Sequence, residues 1–329
     1  MNIVVDAMGG DYSPEAVVEG VVNAVQEFDI NITLVGIEDK VKAELAKYQY
    51  STKKIEIIHA PEIVEMHDPA ITPVRKKKKS SISIGVELLK DKKYKAFISA
   101  GNTGAVVAAS TIRLGMLDGV ERPAIGLVIP TLKGVSFLID VGANADPKPK
   151  HLMQSALMAR VYSMEVLNVK KPKIGLLNIG EESSKGTGFE KETYKLMEDS
   201  VKDFSGNIEP NEIFKGNFDC IICDGFAGNI VIKVAEGLME SAGALMKREI
   251  KKSPIAILGA FIMKSKLEHI KKYADYSEYG GAPLLGVNGL VMIGHGRSSP
   301  KAIKNAIRAT IREVEHKILS KMIKDISKQ

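Results

Sequence analysis

The sequence predicts an α/β fold, a largely parallel sheet with helices on both faces. Three observations lead to it. Short runs rich in Val and Ile alternate with segments of helical periodicity. The runs are almost continuously apolar, the pattern of strands buried on both faces. The links after them are rich in Gly, Asn and Asp, and in doubly wound sheets such links carry the ligand site.

Taken in order, the predicted strands are Ile3–Asp6, Ile32–Gly36, Ile55–His59, Ala96–Ser99, Ala124–Ile129, Ser136–Val141, Lys173–Ile179, Asp219–Cys223 and Leu290–Ile293. Ser13-Pro14-Glu15 predicts a helix start: a capping hydroxyl, proline at the first helical position and an acid in the first turn. Ser299-Pro300 opens the last helix in the same way. Ile303, Ile307, Ile311, Val314, Ile318 and Met322 give that helix one apolar face. No Pro/Ser-rich linker or repeat divides the chain, so residues 1–329 are expected to form one α/β domain. The expected departure is a helical excursion over 245–280. Inside it Ser253–Met263 reads SPIAILGAFIM, flanked by eight basic residues from Lys247 to Lys272 against Glu249 and Glu268. An apolar tip in a basic collar suits shallow insertion at an anionic membrane. A buried hairpin or a dimer contact is the plainer alternative.

Composition removes several classes. A chain of 329 residues builds a core without disulfides or metal staples. Hydrophobic residues are 45% and charged residues 26%, which excludes collagen-like, disordered and multi-span membrane proteins. Two cysteines exclude a disulfide framework and suit a reducing compartment. The first residues lack a basic region and a long apolar stretch, so no secretory leader is expected. The net charge is +6, from 46 basic and 40 acidic residues. Of the 46, 38 are Lys and 8 Arg, whereas sequence-specific nucleic-acid readers lean on Arg, so no nucleic-acid partner is expected. Lys301–Gln329 holds eight basic and three acidic residues, which leaves the first 300 near +1.

Six links are candidates for chemistry: Asp6–Asp11, Gly101–Gly104, Asp140–Asn144, Asn178–Gly186, Asp224–Asn229 and Gly294–Ser298. Each alone also reads as a turn. Together, expected at one edge of the sheet, they suggest a shared anion or phosphate site. Glycine lets backbone N–H groups close on a ligand, and helix N-termini attract anions. The P-loop spacing is not met and G-x-G-x-x-G is incomplete, which disfavours a nicotinamide dehydrogenase. A G-x-S-x-G elbow and H-E-x-x-H are absent too. Cys220 and Cys223 form a lone C-x-x-C without a second pair, and read as packing residues. Arg75–Lys79, RKKKK, is either a solvated basic turn or a dock for an acidic carrier or phosphate. His295 sits in a glycine loop, while His269 and His316 read as surface positions in basic helices.

DAMGGDYSP, SAGNTGA, DVGAN, NIGEESSKG, DGFAGN and YGGAPLLGVNG followed by HGRS resemble, in that order, the motifs of the bacterial phosphate acyltransferases. That family comprises the acyl-carrier-protein:phosphate acyltransferases of phospholipid synthesis. The resemblance runs from Asp6 to Ser298. Ala227 and Gly294 depart from many members, and neither supplies a catalytic group. The resemblance implies a homodimeric, Rossmann-like α/β/α sandwich similar to phosphate acetyltransferases and isopropylmalate dehydrogenases. It implies no metal and no cofactor. It implies a fatty acyl group moving from acyl carrier protein to inorganic phosphate, with the acyl phosphate passing to a membrane glycerol-3-phosphate acyltransferase. A cytoplasmic protein peripherally associated with the membrane through 253–263 is the expected setting.

The residue chemistry fits. Phosphate is itself an anionic nucleophile near neutral pH, so the enzyme has to hold it and stabilise the developing oxyanion. Lys185 is the expected phosphate clamp. Asn102, Asn144 and Asn229 are expected to donate amide N–H groups, with Asn229 placed beside Lys185 and His295 in the catalytic set. His295 is a candidate proton donor to the leaving thiolate. Asp6, Asp140 and Asp224 read as loop-orienting carboxylates. Gly9, Gly10, Gly101, Thr103, Asn178, Glu181, Glu182 and Gly225 complete the expected binding loops. The competing readings are a phosphate acetyltransferase-like enzyme using acyl-CoA, and a non-catalytic basic binding module.

Overall fold

The structure is a computed structural model that describes residues 1–71, 75–268, 278 and 280–326. His269 therefore lies outside the described residues, as does part of the 245–280 excursion. The first half runs β1 (Asn2–Asp6), α1 (Glu15–Glu27), β2 (Asn31–Gly36), α2 (Glu38–Leu45), β3 (Ile55–His59), α3 (Ser81–Leu88), β4 (Tyr94–Ser99) and α4 (Thr103–Leu114). A hairpin of β5 (Ala124–Thr131) and β6 (Gly134–Ile139) follows. Next come α5 (Pro149–Glu165), β7 (Ile174–Leu177), α6 (Gly188–Ser200), β8 (Phe204–Ile208), β9 (Cys220–Ile222) and α7 (Gly225–Ile250). The chain continues through α8 (Pro254–Ile262), β10 (Ala282–Leu285), β11 (Val291–Ile293), α9 (Pro300–Glu315) and α10 (Ile318–Ile326).

Among the described residues the strands form one eleven-stranded sheet, ordered β3-β2-β1-β4-β11-β10-β5-β6-β9-β7-β8. It is mostly parallel, as predicted. The exceptions are β10, antiparallel to both neighbours, and the β5–β6 pair. All nine predicted strands are present, and two more join them. β8 reads FSGNI, and its Gly206, at φ +95, breaks the apolar run beside a register shift. β10 reads APLL, where a proline argues against a central strand. It is tolerated because the ladder to β5 begins only at Leu284, after Pro283.

Each face of the sheet carries two apolar clusters. On one face α1 and α9 cover β1, β2 and β4, while α5 and α10 cover the β5–β9 half. On the other, α3 and α4 cover the first half and α7 begins over the second. The predicted single last helix is two helices. Ile303 and Ile307 of α9 belong to the first cluster, Ile318 and Met322 of α10 to the second. The chain turns between them at Lys317, φ +53, so that one stripe serves two cores. Burying each such isoleucine stabilises by roughly 1.5–3 kcal/mol. The excursion starts earlier than 245. Within α7 every residue from Gly237 to Glu249 is exposed, and α8 has no buried residue. No helix of the described residues is long and apolar enough to cross a membrane.

One buried pair ties the two halves. The Tyr162 hydroxyl of α5 donates to Glu313 Oε1 of α9 at 3.0 Å. Burial pushes the Glu313 carboxyl up to about 8. The folded chain thus keeps a proton that the unfolded chain releases near the ordinary value of 4.5. Its contribution to stability is full below that value and is lost as pH rises toward about 8. Denaturant titrations across this window should show stability falling with pH, and Glu313→Gln should flatten that slope. An unchanged slope in the variant would assign the pH dependence to other groups.

Candidate active site

The expectation of six loops at one sheet edge is corrected. β1 to β5 and β11 run one way, β6 to β9 the other. The loops therefore form two groups at opposite edges. The signal was in the sequence: the predicted strands Ala124–Ile129 and Ser136–Val141 leave six residues between them, and in the structure only Leu132 and Lys133 separate β5 from β6. Such a link makes a hairpin, since a parallel crossover needs a dozen residues or more.

The first group gathers the loops after β1, β4 and β11. Asp6 is buried; its Oδ1 accepts the Met8 N–H at 3.0 Å and its Oδ2 the Ser99 hydroxyl at 2.7 Å. Burial raises this carboxyl above the usual range, against the pull of Ser81 and Ser99. The Ser99 oxygen accepts the Gly101 N–H at 3.1 Å. Gly9 packs so closely that a Cβ would lie 2.6 Å from the Gly101 nitrogen. Gly10, at φ +102, turns the chain so that the Asp11 N–H donates to Gly296 O at 2.7 Å. Ser13 does not cap α1. Its hydroxyl donates to the carbonyls of Met8 and Gly10, and Pro14 stands at the cap. Asn102 caps α4 through the Ala105 N–H, and its Nδ2 donates to the carbonyls of Glu65, Met66 and Asp68 at 3.3, 3.0 and 2.8 Å. Its expected role as a free donor to phosphate is corrected: it anchors the 65–68 loop, which sequence reasoning did not single out. Thr103 is exposed in the first turn of α4. His295 is exposed, and its Nδ1 accepts the Arg297 N–H at 3.1 Å. A neutral ring so held carries its proton on Nε2.

The second group gathers the loops after β6, β7 and β9. Asp140 is buried, and burial raises its carboxyl while backbone N–H groups hold it down. Its Oδ1 accepts from Ile125, Gly142 and Ala143 at 3.1, 3.0 and 2.9 Å. Its Oδ2 accepts the Asn144 N–H at 2.7 Å and Nδ2 at 3.2 Å. The Asn144 amide also donates to Pro123 O at 2.5 Å, so this second expected donor is occupied as well. Asn144 O accepts the Gly225 N–H at 2.7 Å, and Asp224 caps α7 through the N–H groups of Phe226 and Ala227. Asn178 shapes the lysine loop. Its Oδ1 accepts the Ile179 N–H at 2.8 Å and its Nδ2 donates to Lys185 O at 3.3 Å. Asn207 of β8, absent from the expected set, donates to Glu182 O at 2.9 Å. Glu181 and Glu182 are exposed.

Lys185 and Asn229 of this group keep open donors, as do the exposed hydroxyls of Ser183 and Ser184. The Lys185 side chain is 49% exposed, with Nζ 3.9 Å from Glu182 Oε1, beyond hydrogen-bond distance. Asn229 is exposed on α7, and its side chain makes no hydrogen bond among the described residues. β7 and β9 are neighbours, so both side chains emerge at one edge. His295 belongs to the other edge, and the three expected catalytic residues do not converge within one chain. Neither cysteine offers a nucleophile: both are buried, and burial pushes the Cys220 thiol up to about 12.

A family model described as fatty acid synthesis protein matches residues 1–321. The chain belongs to that family. A curated relative from Dictyoglomus turgidum, named phosphate acyltransferase, is 47% identical over 330 residues, covering 100% of this chain and 98% of its own. A second, from Alkaliphilus oremlandii and of the same name, is 45% identical over 327 residues, covering 99% of this chain and 98% of its own; the chain is an acyltransferase enzyme of this family. A phosphotransacetylase structure from Streptococcus pyogenes superposes with a TM-score of 0.65 at 16% identity, covering 96% of this chain and 94% of that one. A 4-hydroxythreonine-4-phosphate dehydrogenase from Klebsiella pneumoniae gives 0.51 at 12%, covering 95% and 99%. These two likenesses concern the fold: the Rossmann-like α/β sheet with flanking helices predicted from the sequence.

Proposed function

We propose that the chain transfers a fatty acyl group from an acyl carrier protein thioester to inorganic phosphate, releasing acyl phosphate for phospholipid synthesis. The observation that carries this reading is Lys185, on the loop after β7, and Asn229, early in α7 after β9: a cation and an amide with open donors at one sheet edge. In the proposed step a phosphate oxygen attacks the thioester carbonyl carbon. The new C–O bond forms, the C–S bond breaks, and the proton of hydrogen phosphate passes to the thiolate. A thiol of pKa near ~8.5 leaves without a strong acid. Lys185 holds the phosphate, and Asn229 donates to the phosphate or to the developing oxyanion. Asp140, Asp224 and Asn178 position the loops that carry them. His295 stands outside this step.

The test mixes the protein with palmitoyl-acyl carrier protein and phosphate, and traps acyl phosphate as its hydroxamate. Phosphate-dependent hydroxamate is expected. No product, with carrier and protein intact, would sink the reading. Product from acetyl-CoA alone would favour the acetyltransferase-like alternative that the fold likeness also accommodates.

The exposed hairpin suits two further partners. Ile230, Val234, Leu238 and Leu245 form one exposed stripe along α7, which we assign to a second copy in a homodimer. Ile255, Leu258, Phe261 and Ile262 of α8 are 61–82% exposed, and the basic collar flanks them. They are assigned to shallow contact with an anionic membrane, near the glycerol-3-phosphate acyltransferase that would take the product. The double variant Leu258→Glu/Ile262→Glu should lower co-sedimentation with anionic liposomes about tenfold or more. Equal sedimentation of variant and wild type would remove the membrane contact.

A further inference from the structure

We propose that the groove between α3 and α4 docks an acidic helical surface of a protein partner. Under the function proposed above, on which this rests, the partner is the carrier that brings the acyl group. From Arg75 to Lys95 the chain holds nine basic residues and two acidic ones, net +7. The whole chain is +6, so everything outside this segment sums to −1. This stretch is the most basic of three, beside the 247–272 collar at +6 and Lys301–Gln329 at +5, and its fold makes it concave. A cavity of about 470 Å³ opens there, with half-buried Ile84 and Leu88 in its wall and Lys78, Lys90 and Arg113 around it.

Both acids of the segment, Glu87 and Asp91, line the groove beside Lys78, Lys90 and Arg113, so its excess positive charge comes from the exposed lysines around it. Glu87 is held by Lys90 at 2.7 Å and by Arg113 at 3.0 Å, and Asp91 accepts the Lys93 N–H at 2.9 Å. Lys77 is paired with Asp68 and Lys93, on the surface, with Glu56. Lys76, Lys78, Lys79 and Lys92 are exposed, and none of their ammonium groups pairs with a carboxylate among the described residues. The guanidinium of Arg113 keeps a buried Nε–H without an acceptor.

This combination selects among anionic partners. Nucleic acid offers phosphates but no protruding apolar group for Ile84 and Leu88. A bilayer is flat, and the apolar surface here is recessed, unlike that of α8. An acidic helix presents both features, carboxylates beside an apolar side chain that enters the groove. The placement also suits delivery. Leu88, Leu114 and Met116, at the far ends of α3 and α4, belong to the same apolar cluster as Val141 and Ala143 of the Asp140 loop. The groove therefore runs from Lys78, near the Lys77–Asp68 pair at the edge that carries His295, to Leu88 and Arg113 at the edge that carries Lys185 and Asn229.

The test titrates the intact protein with holo-acyl carrier protein and measures Kd, for wild type and for Lys78→Glu/Lys90→Glu. Both substituted residues are exposed, and unchanged melting checks the fold. The variant should bind about tenfold or more weakly, and raising NaCl from about 50 to about 300 mM should weaken wild type far more than variant. In the hydroxamate assay the loss should fall on KM for palmitoyl-carrier and leave kcat in place. Equal Kd for the two proteins would overturn the proposal, as would equal carrier binding with a loss of binding to anionic vesicles, which would make the face a membrane contact. A wild type that binds the carrier in this way yet makes no acyl phosphate would support the dock while refuting the proposed reaction.

Discussion

Lys185→Ala should lower phosphate-dependent acyl phosphate formation about 10²-fold, the cost of removing one preorganised donor from a transition state. In the free protein the ammonium stands half in water, loosely beside Glu182, where charge is screened and stabilises little. Substrates that cover the loop would remove that water and strengthen the same charge toward phosphate. The loss should then appear in kcat/KM for phosphate and spare KM for the acyl donor. Lys185→Arg should recover part of it, since the cation remains but its reach and shape change. Asn178 acts as a positioning residue: it holds Lys185 O and the Ile179 N–H, so Asn178→Ala should loosen the loop and cost about tenfold. Melting should be nearly unchanged for Lys185→Ala, because the side chain buries nothing that the core needs. Retention of full kcat/KM for phosphate in Lys185→Ala would take the clamp away from this residue and leave the proposed site without its cation.

Much of the fold was legible because buried strands advertise themselves. IVVD, ITLVG and AFIS are continuous apolar runs, and each is a strand with buried residues along it. The parts that were not legible are those where local pattern and tertiary need diverge. β10 carries a proline and β8 a glycine at positive φ, and both are strands only because a neighbour supplies the ladder. The site shows the same limit. That Asp6, Asp140 and Asp224 orient loops follows from their place after apolar strands, and their hydrogen bonds show how. The amides of Asn102 and Asn144 look identical to that of Asn229 in sequence. Only the fold reveals that the first two are taken by carbonyls and a carboxylate while the third is left open. The separation of His295 from Lys185 has one cause, the two-residue link at Leu132-Lys133. A single hairpin reverses half the sheet and sends the loops after β6, β7 and β9 to the other edge.

Gly228→Ala should be the most damaging single methyl group in the protein. A Cβ at this position would lie 1.9 Å from Asp140 O and 2.9 Å from Cys223 Sγ. The first obstacle is backbone, so no rotamer relieves it, and α7 or the Asp140 loop has to move by more than an ångström. That loop is held by N–H groups of Ile125, Gly142, Ala143 and Asn144 on one buried carboxylate, and Asn144 O in turn holds the Gly225 N–H. Shifting α7 therefore breaks bonds to a buried charge as well as straining the packing. Overpacking alone costs about 1–3 kcal/mol, and bonds to a charged group add roughly 1.5–3 kcal/mol each. A fall in Tm of several degrees is expected, with acyl transfer lost, because Asn229 rides on the displaced helix. Gly188→Ala is the matched control. A Cβ there meets nothing within 4 Å, and exchanging Gly for Ala at such a helical position is neutral or stabilises by up to about 1 kcal/mol. The contrast separates close approach from the general effect of losing a glycine. If Gly228→Ala melts with wild type and keeps its rate, the contact of α7 with the Asp140 loop is not what positions Asn229, and the site has to be built from another support.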